Sequence, residues 1–305
     1  MLEIDNIIKS FGPTKAVIGV SCSISRGEIF GIVGPDGTGK STLLRIIAAV
    51  MKPDSGTVTI EGKSAFDDAA KIKKRVAYMP QKFGLYEDLT VEENIYFFGR
   101  IFSVPSGEIK NRLPRLYGFS GLEPFKDRLA GKLSGGMKQK LGLACCLVHE
   151  PEILLLDEPT NGVDPVSRRE FWKILYELLS ERVTIIVSTA YLDEAERCNR
   201  VAFMFGGEFM SFGTPMEIKS AIADDFFILH TDNPLAAYEA LKESGICKTV
   251  VLSGTLVKTF MKKSLSSQRA VRAILKRNKI QLFKLEAAIP SLEDCFLYMV
   301  KENAK

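Results

Sequence analysis

No run of about 18 or more apolar residues occurs in the 305-residue chain, which argues against helices that cross a membrane. Cysteine is sparse. The six present include no CxxC pair, and they supply neither a disulfide framework nor a zinc site. Cys145 and Cys146 are adjacent and read as small core residues of a reducing compartment. Histidine is rarer still, with only His149 and His230. No internal repeat or low-complexity segment is visible. The opening residues, Met1 to Asp5, hold no apolar signal segment, so secretion is not expected. A large charge of one sign is missing as well. The net charge of +4 is too small to argue for nucleic acid.

What is present is the composition of an ordinary folded protein, 46% hydrophobic and 26% charged. That is enough apolar material for a sizeable core and excludes disorder as a description of the whole chain. The length suggests two domains, or one large domain with an appendage. The basic surplus sits late in the chain, with 13 Lys/Arg against 7 Asp/Glu from Phe226 onward. A solvated basic face accounts for it. Contact with anionic lipid headgroups is the sharper alternative.

Apolar patterning predicts an α/β fold with a mostly parallel core sheet. Strands are expected at Leu2–Phe11, Glu28–Val33, Arg75–Met79, Ile153–Leu156, Val183–Ser188 and Val201–Phe205. Helices are expected at Ser41–Val50, Val91–Phe102, Gly135–Val148, Val166–Ser180 and Leu192–Arg197. After residue 223 the order changes to strand, helix, two strands about Gly254, helix, strand and a last amphipathic helix. Residues 1–223 thus read as one domain, and 224–305 as a small α+β domain.

Residues 34–42 read GPDGTGKST, between a predicted strand and a predicted helix. This G-x-x-x-x-G-K-[ST] pattern needs that context to cradle phosphates. Gly34, Gly37 and Gly39 allow backbone conformations closed to other residues. Pro35, Asp36, Thr38 and Thr42 complete the loop. Lys40 is expected to reach the β and γ phosphates, and Ser41 to ligate magnesium. Residues 153–158 read ILLLDE, a buried strand ending in two carboxylates. Asp157 is expected to hold magnesium, and Glu158 to polarise an attacking water. Gln81, just beyond another strand, is a candidate for the metal or the water.

Residues 133–140 read LSGGMKQK. Together with the phosphate loop and ILLLDEP, this resembles the nucleotide-binding subunit of an ATP-binding cassette transporter, over roughly residues 2–223. The resemblance implies a P-loop fold with an antiparallel β subdomain and a helical subdomain. It implies ATP and magnesium as ligands. It gives Phe11 an adenine-stacking role, makes Gln81 the Q-loop glutamine and makes Asp164 the D-loop aspartate. Ser134 can cap the helix starting at Gly135, and Gly135 and Gly136 then expose N–H groups to an anion. In the family, that anion is the γ-phosphate on a second subunit, so a dimer is implied. The run from Pro290 to Phe296 is similar to the terminal helix of drug-, antibiotic- and ion-export ATPases. These pair with ABC-2-type membrane permeases. A peripheral place on the cytoplasmic face of the cell membrane follows from that resemblance.

One departure stands out. The family has a switch histidine before Tyr-Leu-Asp-Glu-Ala, and this chain has Ala190. A methyl group cannot hydrogen-bond a γ-phosphate, and losing one well-aimed polar group costs on the order of 10²–10³ in rate. The leading expectation is an ATPase that energises export of a drug-like, lipid-like or ionic substrate, with its own site impaired. Its partner is either a second copy or a different ATPase. The alternative is a nucleotide-gated regulatory subunit with little hydrolysis. A DNA-repair ATPase is disfavoured because only 94 positions separate Lys40 from Ser134, too few for an inserted coiled coil. The segment Lys82–Tyr86 and the aromatics Tyr96, Phe97 and Phe98 are candidates for the permease contact.

Overall fold

Alternating burial of Leu2, Ile4 and Ile7 against exposed Glu3, Asp5 and Asn6 makes β1 (Leu2–Phe11) a strand with one face inward. It turns at Gly12 into β2 (Thr14–Ile24), its antiparallel partner. β3 (Ile29–Val33) is buried throughout and leads through the glycine-rich loop to α1 (Lys40–Ile47). β4 (Ser55–Ile60) and β5 (Lys63–Ser64) complete a four-stranded sheet ordered β2-β1-β4-β5. The computed structural model of the chain describes residues 1–67, 69–82, 84–262 and 264–303.

α2 (Ala69–Arg75) runs into β6 (Val76–Met79). Three helices follow: α3 (Val91–Ile101), α4 (Ser106–Ser120) and α5 (Gly135–Leu147), which pack on one another. Thr90 and Glu93 form a reciprocal capping box that starts α3. The chain then alternates through β7 (Ile153–Asp157), α6 (Pro165–Ser180), β8 (Thr184–Thr189), α7 (Leu192–Ala195), β9 (Arg200–Phe205) and β10 (Glu208–Gly213). The central sheet is ordered β10-β9-β3-β8-β7-β6. Its strands β9, β3, β8, β7 and β6 are parallel. Their carboxyl ends therefore share one edge, where open α/β sheets bind ligands. α1 is buried between the two sheets. Leu43, Leu44 and Ile46 join Ile4 and Val58 on one side, and Phe30, Leu155 and Ile186 on the other, in one core.

The chain divides into two compact units, Met1–Phe212 and Gly213–Lys305. The sequence places the division after residue 223. The structure assigns the intervening α8 (Pro215–Ser220) to the later unit, because it packs on the last helix, α11 (Leu292–Asn303). Between them lie β11 (Asp225–Thr231), α9 (Pro234–Ser244), β12 (Thr249–Ser253), β13 (Leu256–Met261), α10 (Leu265–Arg277) and β14 (Leu282–Ala287). The sheet order β12-β13-β11-β14 and the βαββαβ sequence make this a ferredoxin-like unit. Alternation along β11 sends Phe227 and Leu229 into the core with α9 and α10. Phe226 and Ile228 meet Phe260 and Tyr298 on the other face.

Candidate functional site

Four carboxyl ends of the parallel sheet supply the site. The loop 34–42 follows β3, Gln81 follows β6, Asp157 and Glu158 close β7, and Ala190 follows β8. Phe11, Asp36, Gly37, Gly39, Lys40, Ser41, Thr42, Gln81 and Glu158 line one cavity of about 390 Å³. Phe11 is 48% exposed at the end of β1, an aromatic face at the rim. The first-turn N–H groups of α1 have no intrahelical partner and face the loop with the positive end of the helix dipole.

The glycines divide by physical cause. Gly37 and Gly39 have φ of +79° and +101°, which β-carbon-bearing residues avoid. Gly34 does not have positive φ. A Cβ there would lie 2.1 Å from the Met204 carbonyl oxygen, so space, not dihedral freedom, requires glycine. The Thr38 hydroxyl donates to the Pro35 carbonyl at 2.9 Å and tightens the loop.

Lys40 is 3% exposed. Its Nζ donates to the carbonyls of Gly34 (2.8 Å) and Pro35 (2.9 Å) and lies 3.3 Å from Glu158 Oε1. Asp157 is 1% exposed and accepts from Ser41 Oγ (2.9 Å) and Ser188 Oγ (2.7 Å) on Oδ1, and from the Tyr78 hydroxyl (3.1 Å) on Oδ2. Burial pushes the Tyr78 phenol up to about 12, so it stays protonated and donating at neutral pH. Ser41 Oγ and the Asp157 carboxylate form a hard-oxygen donor set that fits magnesium.

Glu158 has φ +49°, a strained conformation for a side chain of its kind and one that recurs at functional sites. Its N–H is anchored by the Ser188 carbonyl and hydroxyl, both at 3.1 Å. Its Oε2 accepts from Gln81 Nε2 (2.8 Å) and Asn161 Nδ2 (3.1 Å). Gln81 therefore presents its amide N–H to Glu158, and its oxygen is the atom left to offer a metal.

The remaining expected residues lie outside this cavity. Ser134 caps α5 by accepting from the Met137 N–H at 3.3 Å. Gly136 leaves no room for a Cβ, since Ser167 would be 2.6 Å away. Asp164 caps α6, accepting from the Val166 and Ser167 N–H groups at 3.0 Å. Hydrogen bonds from Ser167 hold its carboxyl below the usual range. Ser134, Gly135, Gly136 and Asp164 do not line the cavity that holds Lys40. Phe83, in the candidate permease segment, lies outside the described residues.

Sequence reasoning missed Tyr78, Ser188, Asn161, Tyr191 and Glu194. Glu194 is fully buried and accepts from Thr160 (2.5 Å), Thr189 (2.7 Å) and Trp172 (3.1 Å). Tyr191 donates its N–H to Thr189 Oγ1 and stacks under the Arg168 guanidinium at 4.1 Å. Tyr191 and Glu194 stand in the Tyr-Leu-Asp-Glu-Ala run, which does not show what they bond, and no motif marks Tyr78 or Ser188. The strand register, in which Asp157 faces Ser188, brings Ser188 to the site.

The family model described as ABC transporter matches residues 17–161. The chain is 32% identical over 304 residues to the linearmycin resistance ATP-binding protein LnrL of Bacillus subtilis (strain 168), with 97% of both chains covered. It is 42% identical over 285 residues to "Probable multidrug ABC transporter ATP-binding protein YbhF" of Escherichia coli (strain K12). That match covers 92% of this chain and 48% of the relative, so the chain spans about half the length of YbhF. Among solved structures, it is similar to the ATP-binding cassette MJ0796 in a dimeric post-hydrolysis state bound to ADP and Pi. The TM-score is 0.64 at 27% identity, covering 70% of this chain and 98% of that one.

Proposed function

The chain belongs to the ABC transporter family of ATP-binding proteins, and from that premise we propose that it binds and hydrolyses ATP to drive export through a separate membrane permease. The observation that carries this reading is the convergence of Lys40, Ser41, Gln81 and Glu158 in one cavity with Phe11 at its rim. Phe11 stacks the adenine. The loop N–H groups and Lys40 hold the phosphates. Lys40 reaches them by exchanging the Gly34 and Pro35 carbonyls for phosphate oxygens.

Ser41 and Asp157, with Gln81 through its oxygen, would hold magnesium, which supplies charge neutralisation between the phosphates when bound. Glu158 orients the attacking water and takes its proton. The water oxygen bonds to the γ-phosphorus as the bond to the ADP oxygen breaks, and the electron pair leaves with ADP.

The Ser134–Gly136 loop and Asp164 serve the partner's nucleotide, so a second cassette is required, either a copy or a relative. The resistance and multidrug names of LnrL and YbhF support an export role, and the Pro290–Phe296 run supports an ABC-2-type permease. Among the described residues no helix is long and apolar enough to cross a membrane, consistent with a peripheral subunit held by that permease. Its seat is a groove of about 670 Å³ beside α3, walled by Tyr96, Phe97, Glu92 and Asp127. Tyr86 supports it, with its ring centroid 4.3 Å from that of Phe97.

Ala190 slows the chain's own site. It also favours the second reading, a subunit that binds ATP as a gate and scarcely turns it over. Steady-state hydrolysis by the full chain and by Glu158→Gln separates the two. A wild-type rate that falls about 10²–10³-fold in Glu158→Gln, with ATP binding retained, supports the ATPase. Nucleotide binding with no Glu158-dependent turnover supports the gate.

A further inference from the structure

Beside Glu158 lies a smaller cavity of about 110 Å³, and Ala190 forms part of its wall. Its polar walls come from Glu158, Thr160, Asn161, Thr189 and Tyr191, with exposed Asp36 at the edge. Most of these groups are already committed. The Thr160 and Thr189 hydroxyls both donate to buried Glu194. Asp36 and Glu158 offer carboxylate oxygens, which act here as acceptors. Two neutral polar groups remain: the Asn161 amide and the Tyr191 hydroxyl.

They are joined to each other and to Glu158. The Tyr191 hydroxyl donates to Asn161 Oδ1 at 3.4 Å, and Asn161 Nδ2 donates to Glu158 Oε2 at 3.1 Å. Both ends of this relay are fixed. Tyr191 is held by its own N–H on Thr189 and by Arg168 over its ring. Asn161 is held by its N–H on the Glu158 carbonyl at 3.1 Å.

We infer that Asn161 and Tyr191 are positioning residues for Glu158, taking over at this cavity the orienting work that Ala190 cannot do. The inference rests on the ATPase reading above. Asn161 shares Glu158 Oε2 with Gln81 and completes the hold on that oxygen, and Tyr191 fixes the rotation of the Asn161 amide. Both act through Glu158 rather than on the nucleotide or the water. Hydrogen bonds to a carboxylate are the strong ones, so losing this orientation has a kinetic cost.

The test is steady-state ATP hydrolysis by the full chain with magnesium, comparing Tyr191→Phe and Asn161→Ala in the natural and the Ala190→His backgrounds. Tyr191→Phe keeps the ring under Arg168 and removes only the hydroxyl. The expected result is a kcat about tenfold lower for either variant, with ATP affinity unchanged. Ala190→His puts a polar group on the same cavity wall, so the loss caused by Tyr191→Phe shrinks in that background. An unchanged kcat in Tyr191→Phe overturns the inference. So does an equal loss in both backgrounds, which is the mark of a merely structural residue. A wild type with no Glu158-dependent turnover overturns the ATPase reading, and this inference with it.

Discussion

His149 carries a cost that the nucleotide site does not use. The sequence suggests a surface or capping residue after α5, but the structure stacks its ring on Phe102 at 3.8 Å and 11°. Neither ring nitrogen has a hydrogen-bond partner in good geometry. Burial pushes the imidazole down to about 4, against an ordinary value of 6.5. The folded protein therefore holds it neutral, while the unfolded chain takes up a proton below pH 6.5. The stability this neutral ring allows is complete above pH 6.5. It is lost as pH falls toward 4, by no more than about 1.4 kcal/mol per pH unit. His149→Phe keeps the stack and removes the titration. Urea midpoints at pH 7 and pH 5 should fall less in His149→Phe than in the natural chain, and equal falls would remove His149 from the account. Such a residue differs in kind from Glu158, whose strained φ sits beside reactive groups and is held in place by Ser188.

At the scale of elements, Glu194 ties four of them together. From α7, its carboxylate meets Thr160 after β7, Thr189 at the end of β8 and Trp172 in α6. Arg168 lies 3.6 Å away and neutralises the buried charge. Glu194→Ala strands three buried donors and that cation, a loss of about 3–5 kcal/mol in a denaturant titration. Glu194→Gln keeps an acceptor oxygen for some of them and should lose less. A drop below about 1 kcal/mol in Glu194→Ala would mean the loops do not depend on it. This network was invisible in the sequence, because it joins residues 34 positions apart through the parallel register. What was legible had a local signature. β7 reads as ILLL because both its faces are buried. The phosphate loop shows as a motif because glycine, lysine and serine must occur at fixed offsets. α4 was missed although Ile109, Leu113, Leu116 and Tyr117 bury one helical stripe, since Pro114 and two glycines break its propensity. β2 was missed because two of the register shifts against β1 put an extra residue in β2 and break its alternation. β14 was expected from Ile280, but Ile280 packs into the core ahead of the strand, which begins at Leu282.

At the scale of the whole molecule, the proposed function requires a site divided between two chains. One chain brings together the phosphate loop and Glu158, yet its Ser134–Gly136 loop lines neither cavity beside them. A helix N-terminus with two glycines, of which Gly135 is exposed, has first-turn N–H groups without intrahelical partners and suits an anion it does not meet in its own chain. Gly135 allows a clean test, because a Cβ there meets nothing within 4 Å. Gly135→Asp should fold normally, and an acidic residue at the start of α5 complements the helix dipole. It should also retain ATP binding at its own Lys40. Across a dimer it would set a carboxylate against the partner's γ-phosphate, and like charges so placed cost several kcal/mol. With Glu158→Gln to stall turnover, ATP and magnesium should shift the 33.8 kDa chain to about twice that mass by light scattering. The same chain carrying Gly135→Asp should stay monomeric while still binding ATP. If the dimer persists in both, the signature loop does not face a partner's phosphate, and the two-chain assembly must use another surface.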